Sequence, residues 1–355
     1  MTGQRKLFQV TGLPVFQNKM FQDQEAAIAC PKGGMALVQD TGTGLIYNAS
    51  FDAGLLKYDT DYQNEQACSE VFKRHLDDVR MIIQRHFAKK SLLEVGCGKG
   101  FFLEYLRQSG YEITGIDPAY EGDSPHVVKA GFEEGLGITG DGIILRHVLE
   151  HIPEPVEFLA SILEANGGKG KIYIEVPCFD WICQRRAWFD IFYEHVNYFR
   201  LADFHGMFGT VYESGHIFGG QYLYIVADMA TLRAPVSGPG DTFAFPADFL
   251  SGIDSMAVIA RHKRNAVWGG ASKGVIFSLY MQRAGVDIDC IIDINPAKQN
   301  KFVAATGLKI SSPEEGLAML QSGDNIFVMN SNYLHEITTL SNNQFNYIQV
   351  DHHEF

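Results

Sequence analysis

The order of apolar runs, glycine loops and helical stretches predicts an α/β protein: a small N-terminal strand/loop domain, a central Rossmann-like domain and a C-terminal Rossmann-like domain. Three observations carry this expectation. The chain has 355 residues, more than one ordinary core holds and enough for two or three units. Beyond residue 70, short strand-like runs alternate with helical patterns, which implies parallel sheets covered on both faces. Two glycine-rich stretches, EVGCGKG over Glu94–Gly100 and WGGASKG over Trp268–Gly274, each follow an apolar run and open a helical pattern.

Along the chain, the first 70 residues are rich in Gly, Gln, Asn and short apolar runs and read as turns and brief strands. Ser69–Phe87 carries apolar residues at helical spacing, with Ser69 as N-cap. SLLEVG is then a strand, GFFLEYLRQSG a helix and EITGID a strand, and GIILRHVLEHI and GKIYIEVP begin two more strands. The Pro/Gly/Ser passage APVSGPGDTFAFP reads as a linker, beyond which NAVWGG, DCIIDI, DNIFVMN and NYIQVD are strands of a smaller sheet. The expected units are residues 1–70, 71–230 and 231–355.

Composition excludes several classes. With 46% hydrophobic and 20% charged residues and no apolar stretch near the ~20 residues of a membrane span, the chain reads as globular with no membrane partner. The start, MTGQRKLFQVTG, lacks an apolar signal core, so a cytoplasmic location is expected. A net charge of -13 argues against a nucleic-acid partner, which requires a basic footprint. The six cysteines are scattered without a C-x2-C pair and read as small buried hydrophobes, so no metal is expected.

The first loop decides the ligand. A dinucleotide turn needs G-x-G-x-x-G, whereas here the glycines are Gly96, Gly98 and Gly100, with Phe101 at the third dinucleotide position. The E-x-G-x-G-x-G pattern after a strand resembles motif I of the class I S-adenosylmethionine-dependent methyltransferases. That resemblance implies S-adenosyl-L-methionine as cofactor. Gly96, Cys97, Gly98 and Gly100 would pass its amino-acid end and ribose, and Glu94 would serve its ammonium. Asp117, twenty-three residues after Glu94 and followed by Pro118, ends the next strand where ribose hydroxyls need an acceptor. Carboxyl ends of strands line the crevice of an open α/β sheet, so Arg146 and His147 are expected beside the methyl donor and His151 near the acceptor. His147-x-x-Glu150-His151 also matches a zinc-peptidase pattern, but it follows a strand directly and precedes Pro153-Glu154-Pro155 rather than lying in a long helix.

A narrower likeness covers about residue 30 to the end. FYEHVNYF (Phe192–Phe199), FGGQYLYIVAD (Phe218–Asp228) and the C-terminal stretch VWGGASKGVIFSLY with IIDINPAKQNKF resemble the sugar C-methyltransferases, which act on nucleotide-linked 4-keto-6-deoxysugars. The resemblance implies a nucleotide-sugar acceptor, with His195 as base, Glu194 orienting it or holding a substrate hydroxyl, and His151, Tyr62 and Tyr193 contacting sugar or enolate. Two departures stand out. VTGL (Val10–Leu13) and DTGT (Asp40–Thr43) occupy the places of the family's zinc-binding cysteine pairs, and Phe192-Tyr193 replace its Tyr-His. Lys273, at a helix start, could meet a phosphate or simply be solvated, and Arg185 and Arg186 could pair with a diphosphate or lie on a surface turn. Ala271 stands where a dinucleotide loop needs glycine, although Asp293 could still serve a ribose, so an NAD-dependent oxidoreductase stays open. An O- or N-methyltransferase acting on another small metabolite and a non-catalytic binding protein are the remaining alternatives.

Overall fold

The computed structural model describes residues 3–56, 68–88, 90–132, 134–238 and 240–351. Tyr62 lies outside the described residues. The helix Glu70–Phe87 forms as its sequence predicts: the Ser69 hydroxyl accepts from the Val71 and Phe72 amides, and Phe72, Leu76, Val79 and Ile83 bury one face.

The fold is α/β, built on three principal sheets. The central one has seven strands, in the spatial order Val211–Ile217, Tyr222–Asp228, Lys171–Pro177, Gly142–Arg146, Leu92–Val95, Ile113–Ile116, Val127–Val128. The last five of these run parallel, and the first two form an antiparallel hairpin laid against Lys171–Pro177. Because the chain moves outward from Leu92–Val95 in one direction and later in the other, the two loops that part there leave a crevice at the carboxyl ends of Leu92–Val95 and Gly142–Arg146. The C-terminal sheet has five parallel strands in the order Ile310–Ser311, Cys290–Ile292, Asn265–Trp268, Asn325–Val328, Asn346–Gln349.

The N-terminal sheet pairs Gln4–Pro14, Lys32–Asp40 and Ile46–Asn48 antiparallel. Val10–Leu13 is an irregular step within the strand Gln4–Pro14, and Asp40–Thr43 is the turn that follows Lys32–Asp40; each is held without thiolates. Asp40 Oδ1 accepts from the Gly42 amide at 2.8 Å and the Thr43 amide at 2.7 Å, closing the turn with one carboxylate, and the Thr11 and Gly12 carbonyls accept from the Arg283 guanidinium at 3.1 and 2.8 Å.

The passage expected as a linker is anchored. Phe243 packs on Phe179 with ring centroids 5.1 Å apart, Phe245 stacks on Phe8 at 5.5 Å, and Asp241 takes the Arg200 guanidinium at 3.2 Å. Its aromatics outweigh its glycines and prolines, because two half-buried phenyl rings packed on the core hold the strap against its chain entropy.

Candidate active site

The first glycine loop turns sharply after Leu92–Val95, with φ of 75°, 55° and 76° at Gly96, Gly98 and Gly100, values that side-chain-bearing residues rarely adopt. The loop is asymmetric. A Cβ on Gly96 would strike Val148, whereas one on Gly98 would meet nothing within 4 Å, so the loop's backbone is open on the Gly98 side. Asp117 Oδ2 accepts from the Gly98 amide at 2.7 Å and its Oδ1 from the Ala119 amide at 2.8 Å, tying the acid to the loop; Pro118 is exposed beside it. The Cys97 thiol faces inward onto Gly115, so this residue offers the crevice its backbone. Glu94 is 3% exposed and its Oε2 has no hydrogen-bond partner among the described residues. Burial, with the neighbouring Asp117 and against the pull of Arg146, pushes its carboxyl up to about 8. An orphaned, buried acid beside an open glycine backbone fits the ammonium end of S-adenosylmethionine, since a cation there would satisfy the oxygen and restore its charge.

The next strand ends in a charged ladder. Glu175, fully buried, accepts from Arg146 at 3.1 Å, His147 Nε2 at 3.0 Å, His75 Nε2 at 2.9 Å and the Tyr173 hydroxyl at 2.6 Å. Arg146 also lies 4.5 Å from the Phe102 ring centre. His147, at φ 54°, sits between Glu175 and Glu150, and against its burial those carboxylates push it up to about 9. The guanidinium and imidazolium are therefore engaged within the protein, and they set the charge at the crevice wall rather than offering free donors to it.

Beyond this ladder two loops are joined edge to edge. The Glu150 carbonyl accepts from the Val196 amide at 2.8 Å and the Asn197 amide at 3.1 Å, the Asn197 side chain donates to the Ile152 carbonyl at 2.6 Å, and His151 Nδ1 donates to the Glu194 carbonyl at 2.9 Å. This joining brings His195 to His151, with ring centroids 5.0 Å apart, and puts ligand-capable atoms of Glu150, His151 and His195 within 4.8 Å of one another. Because a carbonyl only accepts, His151 carries its proton on Nδ1 and keeps the Nε2 lone pair. Burial lowers His151, and burial together with His151 lowers His195 to about 3 while Glu150 pulls the other way, so both rings are neutral at pH 7. Against its own burial, the neighbouring His147 imidazolium holds Glu150 below the usual carboxylate range. Residues 149–151 form a single 3-10 turn, not the long helix a zinc peptidase builds.

Several side chains expected at the site face elsewhere. Tyr193 is fully buried: its hydroxyl accepts from the Asp52 amide at 2.9 Å and its ring stacks on Phe51, fastening the N-terminal sheet. Glu194 Oε2 accepts from the Gln17 amide at 2.9 Å, another tie to that region. Lys273 sits 2.9 Å from Asp190 and 2.8 Å from Gln221 Oε1, with Trp181 at 5.0 Å, so its ammonium joins the central and C-terminal sheets. Arg186 pairs with Asp248. Conversely, Glu150 was not singled out from the sequence, although the H-x-x-E-H pattern contained it.

The order of the seven strands, with its terminal antiparallel hairpin, together with the acid-bracketed glycine loop, defines a class I S-adenosylmethionine-dependent methyltransferase domain. Residues 62–211 match the family described as "Methyltransferase domain". Among curated relatives, the chain is 29% identical over 136 residues to the C-methyltransferase NovU of Streptomyces niveus, covering 35% of this chain and 31% of that protein. It is 32% identical over 104 residues to a ubiquinone biosynthesis O-methyltransferase of Saccharophagus degradans, covering 24% of this chain and 43% of that protein. The chain thus spans less than half the length of these relatives. A solved structure that resembles it is the Burkholderia thailandensis 1,6-didemethyltoxoflavin-N1-methyltransferase with S-adenosylhomocysteine, at 16% identity and a TM-score of 0.34, covering 45% of this chain and 80% of that one. S-adenosylmethionine is the cofactor of such a domain.

Proposed function

We propose that this protein transfers a methyl group from S-adenosylmethionine to a carbon next to the ketone of a nucleotide-linked keto-deoxysugar, by way of an enolate. The observation that supports it most is the pair of neutral imidazoles, His151 and His195, held beside buried Glu150 on the turn whose Val148 abuts the cofactor loop. S-adenosylmethionine would supply an electrophilic methyl, with Glu94 at its ammonium and Asp117 at its ribose. His195 takes the α-proton; Glu150 stabilises the imidazolium that forms, countering the burial that otherwise weakens this base. His151 Nε2 accepts a hydrogen bond from a substrate hydroxyl and so fixes the sugar's orientation. Tyr193, Glu194 and Lys273 shape this site by position: the first two hold the N-terminal sheet against the His195 loop, and the last holds the C-terminal sheet. Within the same proposal the chain divides near residues 70 and 230, and its acceptor is a small molecule.

The narrower acceptor rests on the sugar C-methyltransferase resemblance and on the likeness to NovU. O-methylation is the second reading, favoured by the two lone pairs, which would deprotonate a hydroxyl equally well, and by likeness to O-methyltransferases of similar identity. Incubation with S-adenosylmethionine and a panel of nucleotide 4-keto-6-deoxysugars in heavy water, read by mass spectrometry beside His195→Asn, tests the proposal. One methyl gained on carbon with deuterium at the α-carbon, both lost in the variant, is expected. Methylation of oxygen without exchange moves the assignment to the second reading.

A further inference from the structure

Glu150, His151 and His195 have a feature that base chemistry does not need. The Glu150 side chain is 2% exposed, and neither of its carboxylate oxygens has a hydrogen-bond partner among the described residues; His147 Nδ1 stands 3.5 Å from its Oε1. Buried carboxylates are ordinarily satisfied several times over, so this one is aimed at something. A ring nitrogen of His151 and one of His195 lie within 4.8 Å of a Glu150 carboxylate oxygen and of each other. His151 has its Nδ1–H fixed on the Glu194 carbonyl at 2.9 Å, the outer anchor that ligating imidazoles use to present Nε2. His195 makes ring contacts with Phe192 at 4.8 Å and His151 at 5.0 Å, which confine its plane.

We infer that Glu150, His151 and His195 form a binding site for one divalent transition cation of the zinc class, and that its occupancy switches off the methyl transfer proposed above. Two imidazoles and one carboxylate select a borderline cation over magnesium or calcium, which take oxygen-only shells. Ligand atoms about 2.0–2.1 Å from a shared tetrahedral centre lie about 3.4 Å apart. The 4.8 Å envelope here exceeds that span by about 1.4 Å, the contraction that a bound cation would have to draw from the side chains. Three protein ligands leave a fourth position for water or an acceptor oxygen. The cation takes the lone pair that His195 needs to accept a proton and neutralises Glu150, so the bound state has no base. The binding half stands on the geometry alone; the inhibitory half rests on His195 acting as base.

Cobalt(II) tests both halves. The full chain, stripped with chelator, is titrated with Co2+ and followed by visible d–d absorption, then by displacement with Zn2+. One cation per chain is expected, with affinity reduced at least about tenfold in Glu150→Gln and in His195→Asn. Both variants should still bind S-adenosylhomocysteine, which shows that they fold. Cys68→Ser, removing an exposed thiol, and His352→Ala with His353→Ala should bind as the parent does. Absence of saturable binding, or equal binding in the two site variants, overturns the site. Methyl transfer suppressed by Zn2+ and restored by chelator supports the switch; unchanged or stimulated turnover overturns it. If no acceptor is methylated at all, the functional reading fails while the cobalt titration still decides the cation site.

Discussion

The two glycine loops begin alike and end differently. Each follows a strand with parallel neighbours on both sides, and each has an acid at the end of the next strand that accepts from a loop amide: Asp117 from Gly98 at 2.7 Å, Asp293 from Gly270 at 2.8 Å. In the first loop a Cβ on Gly98 would point into open space and Glu94 lies unsatisfied beneath. In the second, a Cβ on Gly274 would collide with the Gly269 carbonyl, Asp293 also takes the Lys298 ammonium at 3.2 Å, and Lys273 is paired with Asp190. Strand, glycines and acid thus make a turn, and what the turn leaves unsatisfied makes a binding site. The second turn has its polar groups engaged internally, which leaves the nicotinamide alternative little to draw on.

Single substitutions should act differently on the two loops. Lys273→Met should act hardest, because Asp190 is then left buried without its cation; a loss of roughly 3–5 kcal/mol is expected in denaturant unfolding. Unchanged stability with a raised acceptor KM would instead mean that Lys273 serves a ligand phosphate. Gly274→Ala and Gly98→Ala should separate next. The first overpacks a closed loop at about 1–3 kcal/mol of stability with cofactor affinity kept. The second should cost about 1–2 kcal/mol in backbone strain and, in addition, weaken S-adenosylmethionine binding in calorimetry.

Asp117→Ala should lower cofactor affinity by about 1.5–3 kcal/mol, the worth of charge-assisted hydrogen bonds, while Asp293→Ala should leave it unchanged. The smallest effect expected is in pH. The ligand-free Glu94 carboxyl, raised to about 8, is mostly protonated at pH 6.5, and only its ionised form answers an ammonium. Affinity for S-adenosylmethionine should therefore rise severalfold from pH 6.5 to about 8, with a proton released on binding, and fall above as the ligand's α-amino group, at about 8, loses its proton; Glu94→Gln should abolish the rise. A flat profile in the parent would place the ammonium elsewhere.

The legible parts were local ones. Ser69 as cap, the glycine spacing of the first loop and Asp117 at the next strand end each depend on a few neighbouring residues, and they fold as the sequence predicts. Tyr193 and Glu194 were less legible, because adjacent residues in an irregular loop face different neighbours and no period tells which one meets the crevice. Both turned to the N-terminal region, at the loop residues Asp52 and Gln17. Glu150 was hidden for the converse reason. Its motif reads as an alternative to methyl transfer, whereas the backbone bonds from Val196 and Asn197 to its carbonyl draw it beside His151 and His195.

By itself, the sequence determined the α/β order of elements, the class of the first loop and the acids that bracket it, because propensity, glycine conformation and strand-to-loop spacing act over a few residues. Tertiary structure alone decided which polar groups remain unsatisfied. Lys273 and Glu194 found partners far along the chain, at Asp190 and Gln17, while Glu94 and Glu150 kept buried oxygens open, and satisfaction of a buried charge depends on what the whole fold brings within hydrogen-bond reach.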